Sequence, residues 1–217
     1  MGTTPKVSGL YAVTPDMPDT ALLLELVSAA IEGGTALVQY RNKTAAEALR
    51  RLQATQLLPL CRHRNVPLII NDHLDLCLAI DADGVHLGGT DGDIAATRAR
   101  LGQGKILGVS CYNRLDLAMQ AKDAGADYVA FGSCFSSDTK PGAVRAPLDL
   151  LAAAKQLGIA VVAIGGITLD NAALAIEAGA DAVAVIGALW AAADTRQAAQ
   201  LFSNLFIQND HEPAHHE

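Results

Sequence analysis

The chain has 217 residues, a formal net charge of −7 at pH 7 and 51% hydrophobic residues. This length and apolar content suffice for one α/β domain with a substantial core. The acidic balance argues against nucleic acid or an anionic membrane as a partner, because both need a basic footprint. The sequence has neither a membrane-spanning apolar run nor a signal-peptide pattern, so we expect a cytoplasmic protein.

Eight short apolar runs alternate with stretches of helical periodicity, from residues 9–13 to residues 182–186. This alternation predicts a parallel sheet, and eight βα units in about 200 residues predict a single (β/α)8 TIM barrel over residues 1–207. We expect the polar, His-containing residues 208–217 to form a loosely ordered tail. The alternative, an open doubly wound sheet, would need a glycine-rich turn after the first strand, which Val13–Asp16 lacks. Helices are predicted at 21–31, 45–64, 93–101, 115–124, 148–157, 172–178 and 196–206.

Two similar segments, residues 123–127 and 177–181, each close a helix with glycine and lead directly into an apolar strand, and residues 81–84 form a looser third copy. Glycine suits a left-handed helix C-terminus. We interpret all three segments as scaffold.

Cationic side chains follow the second strand. Gln39, Arg41 and Lys43 alternate, so the two-residue period of a strand points all three to the same side. Two cations at a barrel mouth can neutralise a diphosphate. The alternative is a solvated strand end.

Two carboxylates, Asp72 and Asp91, follow the third and fourth strands and should be neighbours on the same rim. Adjacent carboxylates repel unless a cation lies between them. Mg²⁺ binds one or two carboxylates and completes its shell with water and substrate phosphate oxygens, so we predict a Mg²⁺ site here. The alternative is helix capping, because each aspartate precedes a helical stretch.

Glycine-rich turns follow the seventh and eighth strands, at Gly165–Thr168 and Ile186–Ala188. Barrel enzymes often bind phosphate at these loops through backbone amides, and glycine allows the close approach. The hydroxyls and ammonium of Ser136–Lys140 could add side-chain donors. Tight turns and a solvated loop are the alternatives.

Other reactive groups are sparse. Four cysteines show no metal or redox spacing, and we interpret them as reduced structural thiols. His86 and Trp190 are interpreted as packed residues. The sequence lacks the G-x-S-x-G, H-E-x-x-H and Walker A motifs, which favours chemistry that needs little proton transfer, such as loss of a diphosphate leaving group.

Taken together, these motifs resemble the thiamine phosphate synthase family over about residues 9–206. The resemblance rests on ordered segments at compatible spacing: Gln39–Lys43, Ile70–Asp72, Ala82–Gly88, Gly108–Ser110, Asp138–Lys140, Ile164–Thr168 and Ala184–Gly187.

The resemblance implies a transferase that joins hydroxymethylpyrimidine diphosphate to a thiazole phosphate, or its carboxylated form. Diphosphate would leave first, and the thiazole nitrogen would capture the pyrimidine-methyl cation. It implies Mg²⁺ as the cofactor, held by Asp72 and Asp91, and small molecules as the partners, with a homo-oligomer possible. Arg41, Lys43, Ser110 and Lys140 would be catalytic. The pyrimidine diphosphate would contact Gln39, Tyr40, Arg41, Asn42, Lys43, Asn71, Ser110 and Lys140. The thiazole phosphate would contact Ser137, Asp138, Thr139, Gly166, Ile186 and Gly187.

Four positions depart from the family pattern: Gly89, Tyr112, Ser133 and Ser137 stand where Gln, His, Pro and Thr are common. Tyr112 bears on one alternative, the related thiazole tautomerase, which shares the barrel but shifts a proton with a His at this place. A second alternative is a non-catalytic sensor or carrier of thiamine precursors, which would not need both metal carboxylates.

Overall fold

The computed structural model describes residues 7–88, 92–136 and 145–209. Eight parallel strands close into a barrel in the sequential order β1 to β8. The predicted TIM barrel is therefore confirmed. The strands are β1 Gly9–Val13, β2 Leu37–Tyr40, β3 Leu68–Asn71, β4 Gly84–Leu87, β5 Ile106–Tyr112, β6 Tyr128–Phe131, β7 Ala160–Ile164 and β8 Ala182–Val185.

Helices connect the strands and surround the barrel. They are α1 Thr20–Glu32, α2 Glu47–His63, α3 Leu74–Ile80, α4 Ile94–Leu101, α5 Leu115–Asp123, α6 Asp149–Lys155, α7 Ala172–Glu177, α8 Gly187–Trp190 and α9 Thr195–Asn209. The last helix continues two residues past the domain boundary expected at 207. Within the described ranges, every helix is too short or too polar to cross a membrane.

Strand residues alternate between the barrel interior and the helix-facing side. On β1, Tyr11 and Val13 belong to the interior cluster, whereas Leu10 and Ala12 pack against the helices. This two-residue alternation is the period expected of a strand. Each strand thus contributes to two apolar layers, and the polar side chains that face inward lie inside a closed wall.

Two large rings fill much of the interior. Tyr11 and Tyr128 are fully buried, with ring centroids 5.9 Å apart in an edge-to-face arrangement. Opposite Tyr128, a Cβ at Gly108 would lie 2.0 Å from the ring. Residue 108 must therefore be glycine for the Tyr128 ring to occupy this place.

At the amino-terminal end of the barrel, three aspartates fasten neighbouring strands together. Asp83, Asp127 and Asp181 each precede an even-numbered strand, and each accepts a backbone N–H from the start of the preceding strand, at 2.9, 2.7 and 2.9 Å. Their own N–H groups donate back to the carbonyls of the same three residues. The repeated segments therefore have the scaffold role predicted for them.

Candidate active site

The β1–α1 loop fixes the backbone that carries the predicted cations. Thr14 Oγ1 donates to the carbonyl of Arg41 at 2.9 Å and accepts the N–H of Arg41 at 2.8 Å. Asp16 accepts the N–H of Lys43 at 2.6 Å and lies 3.4 Å from Arg41 Nη1. This ion pair is partly exposed, and such pairs are weak. Arg41 can therefore exchange Asp16 for a substrate oxygen at small cost.

Tyr40 and Asn42, both predicted to contact substrate, direct their polar groups toward α2. Tyr40 Oη and Asn42 Nδ2 both donate to Gln53 Oε1 of α2, at 2.8 and 3.1 Å, and Asn42 Nδ2 also donates to the Met17 carbonyl at 2.9 Å. Burial raises the pKa of Tyr40 to about 12, so its phenol remains protonated. These two side chains hold the β2–α2 loop in place, and their direct contact with substrate stays a prediction.

A chain of hydrogen bonds crosses the barrel interior and joins two predicted substrate-binding residues. Gln39 Nε2 donates to Tyr11 Oη at 2.9 Å, and Tyr11 Oη lies 2.7 Å from Tyr128 Oη. Tyr128 Oη lies 2.9 Å from His86 Nδ1, and His86 Nε2 lies 2.8 Å from Ser110 Oγ. We call these five residues the interior relay. It links Gln39 on β2 to Ser110 on β5.

The donors and acceptors of the interior relay favour hydrogen bonds that all donate in one direction, from Gln39 toward Ser110. Each phenol has a single proton, and burial raises the pKa of both Tyr11 and Tyr128, so both keep it. Because Tyr11 accepts from Gln39, its proton goes to Tyr128, whose own proton goes to His86 Nδ1. His86 then donates from Nε2 to Ser110. In this arrangement Ser110 accepts from His86, so its own hydroxyl proton can be donated to another acceptor.

Ser110 lies at an irregularity of β5. The register with β6 shifts between Ser110 and Tyr112, and Tyr112 has a φ of 53°. Such a shift re-aims side chains and is common near active sites. Tyr112 is 46% exposed and stands at the barrel mouth. Gly89, another departure from the family pattern, lies outside the described residues.

A cavity of about 240 Å³ opens beside β2 and β3. Asp72 takes a left-handed conformation, with φ 62°, and its Oδ2 accepts from Asn71 Nδ2 at 2.6 Å. The N-cap of α3 is His73, which makes no side-chain capping bond, so Asp72 does not cap this helix. Among the predicted site residues, the cavity brings together Tyr40, Asn42, Lys43, Asn71 and Asp72.

Two further residues line this cavity but were not predicted, Arg50 and His73. Burial lowers the pKa of His73, and the positive charge of Arg50 lowers it further, while Asp72 and Glu47 oppose the shift. Arg50 could have been identified from its spacing, because it lies three and seven residues before the buried Gln53 and Leu57 of α2.

The donor chemistry around Asp72 suits a hard cation. Asp72 supplies a carboxylate, and the Asn71 side chain beside it carries an amide oxygen. Within the described part of the chain, His, Cys, Asp and Glu form no group of three or more that could hold a metal. Mg²⁺ does not require such a group, because water and substrate oxygens fill most of its shell. Asp91, the other predicted ligand, lies outside the described residues.

Gly166, at the end of β7, lies in a turn that admits only glycine. Its φ is 64°, and a Cβ there would lie 2.3 Å from the carbonyl oxygen of Ser136. Asn171 stabilises the turn, donating to the Gly166 carbonyl and accepting the Thr168 N–H, both at 2.9 Å. The loop therefore holds its backbone in one conformation.

Gly187, after β8, is the first residue of the short α8, and Ile186 is its N-cap. A Cβ at Gly187 would meet nothing within 4 Å among the described atoms, so space is open above it. Trp190 Nε1 donates to the Val13 carbonyl at 2.6 Å and anchors α8 to β1, as its interpretation as a packed residue implies. The predicted Ser137, Asp138, Thr139 and Lys140 lie outside the described residues.

Comparison with known proteins identifies the family to which this barrel is similar. The family model described as thiamine monophosphate synthase matches residues 10–189. A thiamine-phosphate synthase of Methylobacillus flagellatus is 59% identical over 202 residues, which cover 93% of this chain and 97% of that protein. The corresponding protein of Nitrosomonas eutropha is 54% identical, with 93% and 95% covered. The solved structure of thiamine phosphate pyrophosphorylase from Pyrococcus furiosus has a TM-score of 0.81 at 33% identity, with 92% and 96% covered.

The family match and the curated relatives also decide what class of protein this barrel is. The matched residues 10–189 contain the interior relay, the cavity around Asp72 and both glycine turns. The resemblance inferred from the motifs is confirmed. The chain belongs to the thiamine monophosphate synthase family and is a transferase of thiamine biosynthesis.

Proposed function

We propose that the barrel mouth condenses 4-amino-2-methyl-5-hydroxymethylpyrimidine diphosphate with 4-methyl-5-(2-phosphoethyl)thiazole, giving thiamine phosphate and diphosphate. The observation that carries this proposal is the cavity that brings Lys43 and Asn71 to the carboxylate of Asp72. A cation, an amide and a metal-binding carboxylate together suit a diphosphate better than a monophosphate.

The reaction consists of one bond broken and one formed. The bond between the pyrimidine methylene carbon and the diphosphate oxygen breaks, and its electron pair leaves with the diphosphate. The lone pair of the thiazole nitrogen then forms the new carbon–nitrogen bond with the pyrimidine-methyl cation. That nitrogen carries no proton, so the step needs no general base, which agrees with the absence of the common nucleophile and base motifs from the sequence.

Charge stabilisation would lower the barrier to departure of the diphosphate. The backbone at Arg41 and Lys43 is held by Thr14 and Asp16 of the β1–α1 loop, so the segment that carries both cations is in place before substrate binds. A fixed backbone reduces the reorganisation that is needed to stabilise the developing charge. Lys140 is proposed to add a further cation from the β6–α6 loop.

The interior relay would bind the pyrimidine end of the substrate. Gln39 and Ser110 are its two ends, and the buried phenols between them fix the orientation of both side chains. A Ser110 hydroxyl that donates can bind an oxygen of the departing diphosphate, and charge assistance strengthens such a bond.

Asp72 and Asp91 are the proposed ligands of Mg²⁺. When bound, Mg²⁺ would supply Lewis-acid stabilisation of the negative charge on the leaving diphosphate. On the opposite side, the backbone of Gly166, Ile186 and Gly187, with Ser137, Asp138 and Thr139, would bind the thiazole phosphate.

The test is an assay of the purified protein with both substrates, with and without Mg²⁺. The expected result is thiamine phosphate and diphosphate in equal amounts, formed only when Mg²⁺ is present. Isomerisation of the carboxylated thiazole phosphate without thiamine phosphate formation would instead identify a tautomerase. Binding of the pyrimidine diphosphate without turnover would identify a sensor, and either result overturns the proposal.

A further inference from the structure

Arg50 is a cation that the reaction outlined above does not use. It lies in the first turn of α2, on the helix face that continues inward through Gln53, Ala54 and Leu57. Unlike its exposed neighbour Arg51, it is half-buried. Its side chain reaches the cavity that contains Lys43 and Asp72.

The guanidinium of Arg50 has more donors than the protein satisfies. Nη2 donates to the carbonyl of Ala45 at 2.7 Å. Nε is buried and has no acceptor among the described residues. A buried donor without a partner destabilises the folded state, by about 1–3 kcal/mol. Nη1 likewise has no acceptor among the described residues, so a ligand with several acceptor oxygens in the cavity can bind there.

Arg50 also lacks a carboxylate partner within the described residues, although two arginines near the other end of α2 have one. Arg62 pairs with Asp81 at 2.9 Å and Arg64 with Glu32 at 3.7 Å. The Arg50 guanidinium thus lies at the cavity with no described carboxylate at ion-pair distance.

The position of Arg50 indicates which part of an anion it would reach. Gln39 and Ser110 lie inside the barrel, whereas Arg50 lies on a helix outside the strand wall, beside the outward-facing Tyr40. A pyrimidine held at the interior relay would extend its diphosphate outward. The group furthest from the ring is the terminal phosphoryl.

We propose that Arg50 binds the terminal phosphoryl group of the pyrimidine diphosphate and makes the site select a diphosphate over a monophosphate. This assignment rests on the proposed function and adds a residue to it. The planar guanidinium can present two parallel N–H groups to one phosphoryl, a geometry that lysine does not provide. The bond to Ala45 holds the guanidinium in position.

The test uses Arg50→Gln and Arg50→Lys, with Arg51→Gln as the matched control on the same helix. Binding of inorganic diphosphate is measured by calorimetry with and without Mg²⁺, together with KM for each substrate. Because a charge-assisted hydrogen bond contributes about 1.5–3 kcal/mol, we expect Arg50→Gln to weaken diphosphate binding about 10- to 100-fold. KM for the pyrimidine diphosphate should rise in parallel, while KM for the thiazole phosphate should not change. Arg50→Lys should be intermediate, and Arg51→Gln should match the wild type.

A structural role for Arg50 would give another result, namely a lower melting temperature with unchanged diphosphate binding by the folded protein. That result, or equal effects of Arg50→Gln and Arg51→Gln, would overturn the assignment. Failure of the proposed function would be recognised by a different measurement. In that case the wild type would form no thiamine phosphate, whether or not Arg50→Gln weakens diphosphate binding. Should Arg50→Gln not fold, Arg50→Lys decides the question, and unaltered binding by it refutes the proposal.

Discussion

Aspartate residues have different roles at the two ends of this barrel. At the amino-terminal end, Asp83, Asp127 and Asp181 accept backbone N–H groups from the neighbouring strand. At the carboxyl-terminal end, Asp72 takes a left-handed backbone conformation and lines a cavity with Lys43 and Arg50. The first arrangement satisfies the backbone and stabilises the fold. The second places charged side chains around a space large enough for a ligand.

The comparison shows why an aspartate before a strand has a structural role in this fold, whereas an aspartate after a strand can belong to the active site. A carboxylate before a strand has backbone donors from the adjacent strand within reach. A carboxylate after a strand faces the loops of the mouth, where active sites of TIM barrels lie. Variants at the two ends should therefore separate stability from catalysis.

The largest expected effect is on catalysis, from Asp72→Asn. Asparagine tolerates the left-handed backbone at this position but removes the negative charge that would bind Mg²⁺. Because a metal ion contributes several kcal/mol of transition-state stabilisation, kcat/KM should fall about 100- to 1000-fold with an unchanged melting temperature. The control is Asp93→Asn, which alters the exposed cap of α4. Near-normal turnover of Asp72→Asn would contradict the metal role.

The next largest effect is expected from Asp127→Ala, which should lower stability without affecting catalysis. This change removes the acceptor of the Leu107 N–H and the partner of Arg98, whose side chain is only 8% exposed. The free energy of unfolding, measured in urea, should fall by about 2–3 kcal/mol, with kcat unchanged for the folded fraction. Asp81→Asn at the same end alters only exposed ion pairs and should cost less than about 1 kcal/mol. A lower kcat of folded Asp127→Ala would contradict the claim that the aspartates of the amino-terminal end affect stability alone.

Tyr128→Phe should affect both properties, because the interior relay belongs to the core and to the site. The variant leaves the buried Tyr11 hydroxyl and His86 Nδ1 without the partner seen here. We expect a loss of about 1–3 kcal/mol in the free energy of unfolding and a higher KM for the pyrimidine diphosphate. Asp127→Ala, similarly destabilised, is the control for KM. If both variants keep the wild-type KM, the relay does not position substrate.

At neutral pH the smallest effect is expected from the thiols, all four of which are buried. Burial raises the pKa of Cys61 and Cys111 to about 12 and of Cys77 and Cys134 to about 11, from an ordinary value of 9.0. Above pH 9 the unfolded chain releases thiol protons that the folded chain keeps, so stability falls as pH rises and is unaffected below pH 9. Urea midpoints at pH 8 and pH 10 test this. Alkylation of the native protein at pH 8 should be negligible, and rapid modification of any thiol would contradict it.

Much of the fold could be predicted because each apolar run is short and ends in a turn signal. The alternation of strands and helices was sufficient for the barrel, and the repeated Asp123–Asp127 and Glu177–Asp181 segments marked its amino-terminal end. The grouping of side chains around the cavity was predictable where they follow strands in sequence order, as Lys43, Asn71 and Asp72 do.

The features that could not be predicted depend on contacts between residues that are distant in the sequence. The hydrogen bond between Tyr11 and Tyr128 spans 117 residues, and no local pattern indicates that two buried phenols meet. Asp16 follows β1, but it accepts the N–H of Lys43 in the β2–α2 loop, 27 residues further along the chain. The spacing of Arg50 places it on the buried face of α2, but an arginine on a helix usually faces solvent, so the spacing alone did not assign it to the site. Only the closed barrel shows that its helix face points to the mouth.

The contact between Gly108 and Tyr128 ties the packing of the core to the hydrogen bonds of the interior relay. A Cβ at position 108 would lie 2.0 Å from the Tyr128 ring, so Gly108 can change only if residue 128 becomes smaller. Replacement of Gly108 requires a smaller residue at 128, which removes the hydroxyl between Tyr11 and His86. Among homologues that make the same product, we therefore expect this glycine and this tyrosine to be inherited as a pair.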